Sequence, residues 1–178
     1  MLWSRVFWVS AFLCLGFMAS SQTREIKEMA AELIIEDIFW MMNTNEHHQE
    51  PFRDGHAITV VQPYIGLQND TSMISHAEGL QAFVKKHFAE YTPEYFMNAL
   101  DQDWLSIVED LPDRCNPTEG GIFLKIALDG GSRPSRAELW HVKTVDEEER
   151  YVDFALRYYW DENENLILDM IDLRECGV

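Results

Sequence analysis

His47, His48 and His56 lie among Glu46, Glu50 and Asp54, and imidazoles grouped with carboxylates are the raw material of a metal site. The spacing argues otherwise. Adjacent His47 and His48 point apart on regular structure, and none of the established zinc spacings occurs, so the stretch reads as a polar, exposed loop. General acid–base chemistry needs a carboxyl in an apolar pocket, where burial lifts its pKa into the working range. Asp103, beside Trp104 on an otherwise apolar helical face, fits that need best; Asp153 and Asp169, within alternating segments, come next. Each reads more readily as a solvent-facing charge or a cap. Cys115 sits among Asp113, Arg114 and Asn116 with no evident histidine partner, and the chain has no Gly-x-Ser-x-Gly elbow. Gly120-Gly121 and Gly130-Gly131 read as turns, not phosphate cradles. No catalytic set and no cofactor is expected. Trp104, Trp140, Trp160, Tyr158 and Tyr159 either line a ligand pocket or fill a core. Trp104 and Trp160 read as core, while Trp140, next to His141, stays open.

The elements that must position these residues follow from periodicity. Thr23 to Met42 predicts a helix, with Ile26, Ala30, Leu33, Ile34, Ile38 and Met41 at helical spacing and Glu25, Glu28, Glu32 and Glu36 opposite. Its early acids suit the positive end of a helix dipole. Ala57 to Val61 predicts a short strand, which Pro63 confines to an edge or a bend. Ser75-His76-Ala77-Glu78 reads as a capping box opening a second helix with Leu80, Phe83, Val84, Phe88 and Tyr91 on its apolar stripe. Thr92-Pro93 opens a third, carrying Tyr95, Phe96, Ala99, Leu100 and Trp104. After a polar loop the period switches to two. Ile122–Leu128, Arg136–Val145, Arg150–Trp160 and Leu166–Leu173 predict four strands with short connections, hence an antiparallel meander. Helices first and a meander last make an α+β domain with the helices on one sheet face.

Outside that domain, residues 1–21 carry one charge, Arg5, then an apolar block from Val6 to Met18 and small residues at Ala19, Ser20 and Ser21. This is the order of a secretory signal, with cleavage expected after Ser21. An apolar block of about 13 residues falls short of the roughly 20 that span a bilayer; an uncleaved anchor is the alternative. Residues 22–178 then form one domain, exported, and periplasmic if the source is bacterial. A chain of this size buries roughly 70% of its unfolded surface, in keeping with 47% hydrophobic residues. The net charge of −17 excludes nucleic acid and anionic membrane as partners and leaves a basic protein or a small molecule. After cleavage no stable membrane insertion is expected. Cys14 lies in the apolar block after Leu13, where lipid attachment would want a small residue. Cys115 and Cys176 remain, and two thiols in an exported chain pair as a disulfide or stay as separate thiols. Asn69-Asp70-Thr71 is a glycosylation sequon that matters only in a eukaryotic source.

Phe83-Val84-Lys85-Lys86-His87-Phe88, then Tyr95-Phe96 and Gln102-Asp103-Trp104, then Tyr159-Trp160 through Asp169-Met170-Ile171 carry a resemblance. The chain resembles the cystatin-like superfamily of the nuclear transport factor and ketosteroid isomerase, in particular its uncharacterised bacterial periplasmic members. The resemblance implies helices over a curved four-stranded antiparallel sheet, a cone with a concave pocket. It implies no particular reaction. Isomerase-like chemistry in such a cone would need a buried acid plus an oxyanion donor such as Tyr95 or Tyr158. Asp103, Tyr95, Trp140 and Tyr158 are therefore the candidate ligand contacts. Three functions remain: a non-enzymatic binding protein, an acidic inhibitor or immunity protein that neutralises a basic toxin or hydrolase through residues such as Asp146 to Glu149, and an isomerase- or lyase-like enzyme.

Overall fold

A computed structural model describes residues 3–43, 56–62, 70–101, 104–130, 132–145 and 149–174, with residues 3–20, 70 and 101 described by their backbone alone. In chain order the elements are α1 (Trp3–Met42), β1 (Ile58–Gln62), β2 (Asp70–Ile74), α2 (Ala77–His87), α3 (Pro93–Asp101), β3 (Leu105–Val108), β4 (Gly121–Asp129), β5 (Arg133–Thr144), β6 (Arg150–Trp160) and β7 (Leu166–Asp172). The chain is α+β, as its patterning predicts.

The sheet is larger than the four-stranded antiparallel meander expected. Seven strands lie in the order β2-β1-β7-β6-β5-β4-β3. The predicted meander, β4 to β7, forms its centre, with every neighbouring pair antiparallel. The β1–β2 hairpin adds to one side through a parallel β1–β7 pair, extended where the Leu173 amide donates to the Val61 carbonyl at 2.8 Å. On the other side β3 pairs in parallel with β4. The sheet is mixed because these additions come from segments far away in sequence, which local alternation does not reveal.

The helices cover one sheet face. From α1 come Ala30, Ala31, Ile34, Ile35, Ile38, Met41 and Met42; from α2, Leu80 and Val84, with Phe88 at its cap; from α3, Phe96 and Ala99. They meet Ile122, Leu124 and Ile126 of β4, Ala137 and Leu139 of β5, and Phe154, Leu156 and Tyr158 of β6. Burying such side chains stabilises the fold by about 1.5–3 kcal/mol each. Leu33, expected on this stripe, is 50% exposed, because Ala31 and Ile35 take the inward positions.

Local starts and stops differ from expectation too. α1 begins at Trp3, not Thr23, so Glu25 and Glu28 lie in mid-helix and its first turn has no acid for the dipole. Among the described residues no helix is long and apolar enough to cross a membrane. The cap of α2 is His76, whose Nδ1 accepts from the Gly79 amide at 2.9 Å, in place of the Ser75–Glu78 box. Pro93 does open α3, but the helix ends at Asp101. Leu105 and Ile107, inward of exposed Ser106, turn the continuation into β3. Trp104, read as core, is 49% exposed at that junction.

Parallel strands need a long crossover, and residues 109–120 provide it between β3 and β4. This strap passes over the sheet face opposite the helices. There Phe123, Trp140, Val142, Val152 and Ala155 form a second, smaller core, with Val108 and Leu111 packed on it. Gly130, at φ +57°, makes the β4–β5 turn that a side-chain-bearing residue would strain.

Candidate functional site

On β5 the inward positions run Ala137, Leu139, His141, so the alternation that buries two apolar side chains also buries an imidazole, 4% exposed. A buried imidazole needs partners for both nitrogens. Tyr91, after α2, and Tyr95, in the first turn of α3, supply them. The Tyr95 hydroxyl lies 2.9 Å from Nε2 and the Tyr91 hydroxyl 3.2 Å from Nδ1. Tyr91 in turn donates to Asp153 Oδ2 at 2.5 Å.

Asp153 reaches this face through a β-bulge. His141 pairs with Phe154 but Val142 pairs with Val152, leaving Asp153 as the extra residue between them. Strict alternation would send Asp153 and Phe154 to opposite faces; the bulge turns both toward α2 and α3. Phe154 stacks on the imidazole at 5.1 Å and 14°, and Phe88, Phe96, Tyr91 and Tyr95 close an aromatic box around it.

Tyr91 O–H donates to Asp153, and the His141 tautomer sets which ring nitrogen donates toward Tyr91 and Tyr95. Burial first, then the bond and charge of Asp153, push the Tyr91 phenol far above its ordinary value. Tyr95 rises for the same two reasons. Burial alone would raise Asp153, but hydrogen bonding to His141 and Tyr91, with the charges of His141 and Lys143, brings it below the ordinary carboxylate range. Asp153 is thus a carboxylate and both phenols stay neutral. Within the chain Tyr95–His141–Tyr91–Asp153 the Tyr91 hydroxyl is spent on Asp153 and is not left to stabilise an oxyanion.

Of the expected contact residues that are described, only Tyr95 belongs to this cluster. Tyr158 is fully buried on the helix-side core, its hydroxyl facing Asp37 of α1 without a well-formed hydrogen bond; burial, then Asp37, raise it well above the ordinary value. Trp140 is on the opposite face, under the strap, with Nε1 donating to Glu138 at 2.9 Å and the Arg114 guanidinium 5.5 Å from its ring. Tyr95 and these two residues therefore share no cavity. Asp103 and Cys176 lie outside the described residues, as do the Asn69 sequon, Asp146 to Glu148, and the histidine grouping apart from His56. His56 sits 3.2 Å from the Leu168 carbonyl and against the Tyr159 ring. Among the described residues no three His, Cys, Asp or Glu side chains are grouped to hold a metal.

The strap carries a second polar cluster. Asp172, 3% exposed at the end of β7, meets Arg174 Nη2 at 2.6 Å and Arg114 Nη1 at 3.0 Å. Burial opposes its charge, but the Arg174 hydrogen bonds, then both arginine charges, hold its pKa below the ordinary range. Arg114 also donates to the Arg174 carbonyl at 3.0 Å. Cys115 is not a free thiol.

No protein-family model, curated protein or solved structure matches this chain. Function must therefore be argued from this chain's own surface.

Among the described residues, open space lies along α1. A hollow of about 800 Å³ is lined by the apolar Ala31, Leu100, Leu105 and Ile107, by Glu28, Glu32 and Glu109, and by Thr23, Arg24 and Lys27. A second, of about 540 Å³, shares Glu32 and Leu100 with it and continues past Glu36, Phe39, Trp40 and Met97. Lys27 and Glu109, both lining the first hollow, pair at 2.6 Å, and Arg24 pairs with Glu28 at 2.7 Å. Neither Glu32 nor Glu36 has an ion pair among the described residues. Sequence reasoning set Glu28, Glu32 and Glu36 on the outward side of this helix; that one edge of that side borders an apolar channel follows only from where α3 and β3 pack.

Proposed function

We propose that this protein is an exported, non-enzymatic, single-domain binding protein whose working surface is the channel between α1, α3 and β3. The observation that carries the reading is the channel itself, open, apolar on its floor and acidic along its wall. The bonding of Tyr95, His141, Tyr91 and Asp153 to one another favours binding over catalysis, because these groups serve to seat α2 and α3 on the sheet. Export rests on the charged, apolar and small-residue order of residues 1–21, and the cystatin-like resemblance supplies the expectation of a concave surface. A second reading, an acidic inhibitor of a basic toxin or hydrolase, draws on the same acidic wall and the charge of −17.

In this reading Cys115 and Cys176 form a disulfide. Arg114 and Arg174, each within two residues of a cysteine, are in contact, and that brings the two chain segments together.

The test is capture from extracellular or periplasmic extract at low and moderate salt, with wild type and with the surface variant Glu32→Arg/Met97→Arg. A protein retained by wild type and lost by the variant is the expected result. Identical retention by both would remove the channel as the working surface.

A further inference from the structure

We propose, resting on the channel as the binding surface, that its occupant is a cationic amphipathic α-helix of a partner protein. The dimensions come first. The two hollows adjoin at Glu32 and Leu100, and their linings together run along α1 from Thr23 to Trp40, the channel of this proposal. At 1.5 Å per residue that is about 25 Å, the length of a helix of nearly five turns.

The walls decide the shape of the occupant. An extended segment gains its affinity from main-chain hydrogen bonds along a strand edge. Only the first hollow touches a strand; the second is lined by α1 and α3 alone, whose main-chain groups are spent within the helices. A ligand filling the whole channel meets side chains, and side-chain recognition in an apolar groove is what an amphipathic helix provides. Phe39, Trp40, Met97, Leu100 and Ile107 offer it a continuous apolar bed.

Charge decides its sign. Glu28, Glu32 and Glu36 stand four residues apart, a single row along one edge of the channel. Lys27, with a side chain only 12% exposed, is already committed to Glu109, and Arg24 meets Glu28 in a largely exposed pair. Glu32 and Glu36 thus face the occupant uncompensated among the described residues. A helix with Lys or Arg along one side and Leu or Met along the other answers both features. The whole-molecule charge of −17 steers such a ligand inward.

The probe is a labelled 18-residue Leu/Lys peptide with its leucines on one helical face, followed by fluorescence anisotropy with the purified full chain. Two controls are a scrambled peptide of identical composition and a Leu/Glu peptide of the same pattern. The patterned cationic peptide is expected to bind at least about tenfold more tightly than either control. Its affinity should fall about tenfold or more in Glu32→Lys/Glu36→Lys, two surface changes that leave the core untouched. Equal binding of the scrambled peptide would reduce the interaction to bulk charge and overturn the proposal. So would an unchanged affinity in the double variant, or self-association through the channel seen by light scattering. Failure of the peptide, alongside channel-dependent capture from extract, would overturn the helix and leave the binding function standing. Failure of both would remove the binding function as well.

Discussion

Tyr91 is the hinge of the buried polar chain, since its one hydroxyl serves His141 and Asp153 at once. Tyr91→Phe leaves both partners without it while keeping the ring in the aromatic box. The expected loss is about 1–3 kcal/mol of unfolding free energy, read by urea denaturation. Asp153 carries the pH dependence. Its folded pKa is depressed, so its contribution is present above the unfolded value of about 4 and fades as pH falls through the lower, folded value. Asp172 acts in the same direction. Unfolding midpoints followed from pH 6 down to pH 2 should therefore drop, and Asp153→Asn should flatten that drop; an unchanged slope would mean that the bulge does not place Asp153 as described. His141 was legible in principle, because a polar residue at the third inward position of Ala137, Leu139, His141 must have partners. Asp153 was legible as a candidate carboxyl but its face was not, because strict alternation assigns it to the face opposite Phe154 and only the bulge reverses that.

At the scale of elements, caps and crossovers mark what neighbouring residues specify and what distant ones do. The α2 cap uses a histidine side chain where Ser75 looked the natural choice, and His76→Ala should cost about 1 kcal/mol, measurable in thermal melts, whereas His76→Asn should cost little. β3 was missed because four residues give only two turns of alternation, and its parallel partner begins thirteen residues after its end. That pairing creates the strap. Arg114 pins it by an ion pair to buried Asp172 and by its position near the Trp140 ring. Arg114→Ala is expected to destabilise the fold by about 1–3 kcal/mol, Arg174 still balancing Asp172. Increased proteolysis within 109–120 and a red-shifted tryptophan emission should accompany it. An emission spectrum like that of wild type would show that Trp140 is shielded without the strap.

For the molecule as a whole, the proposed Cys115–Cys176 bridge would tie the strap to the C-terminus across the second core. Reduction should then lower stability by roughly 4 kcal/mol, as expected for closing a loop of that length, and thiol titration of the unfolded, unreduced chain should find neither cysteine free. Cys14 is a separate matter, removed if the leader is cleaved. What the sequence determined by itself was the class and the order of the three helices, β1 and the four central strands: helical periods in three segments ending near Leu100, an alternating period from Ile122, and turn residues between those strands. Those signals are local, each written in a few consecutive side chains that must face the same way. Tertiary structure alone decided that the meander grows into a seven-stranded mixed sheet and that a bulge draws Asp153 to His141. It also decided that α1 lies beside α3 and β3 with an acidic, apolar-floored channel between them. Those outcomes depend on which distant surfaces pack together, and no short window of residues carries the energy of that choice.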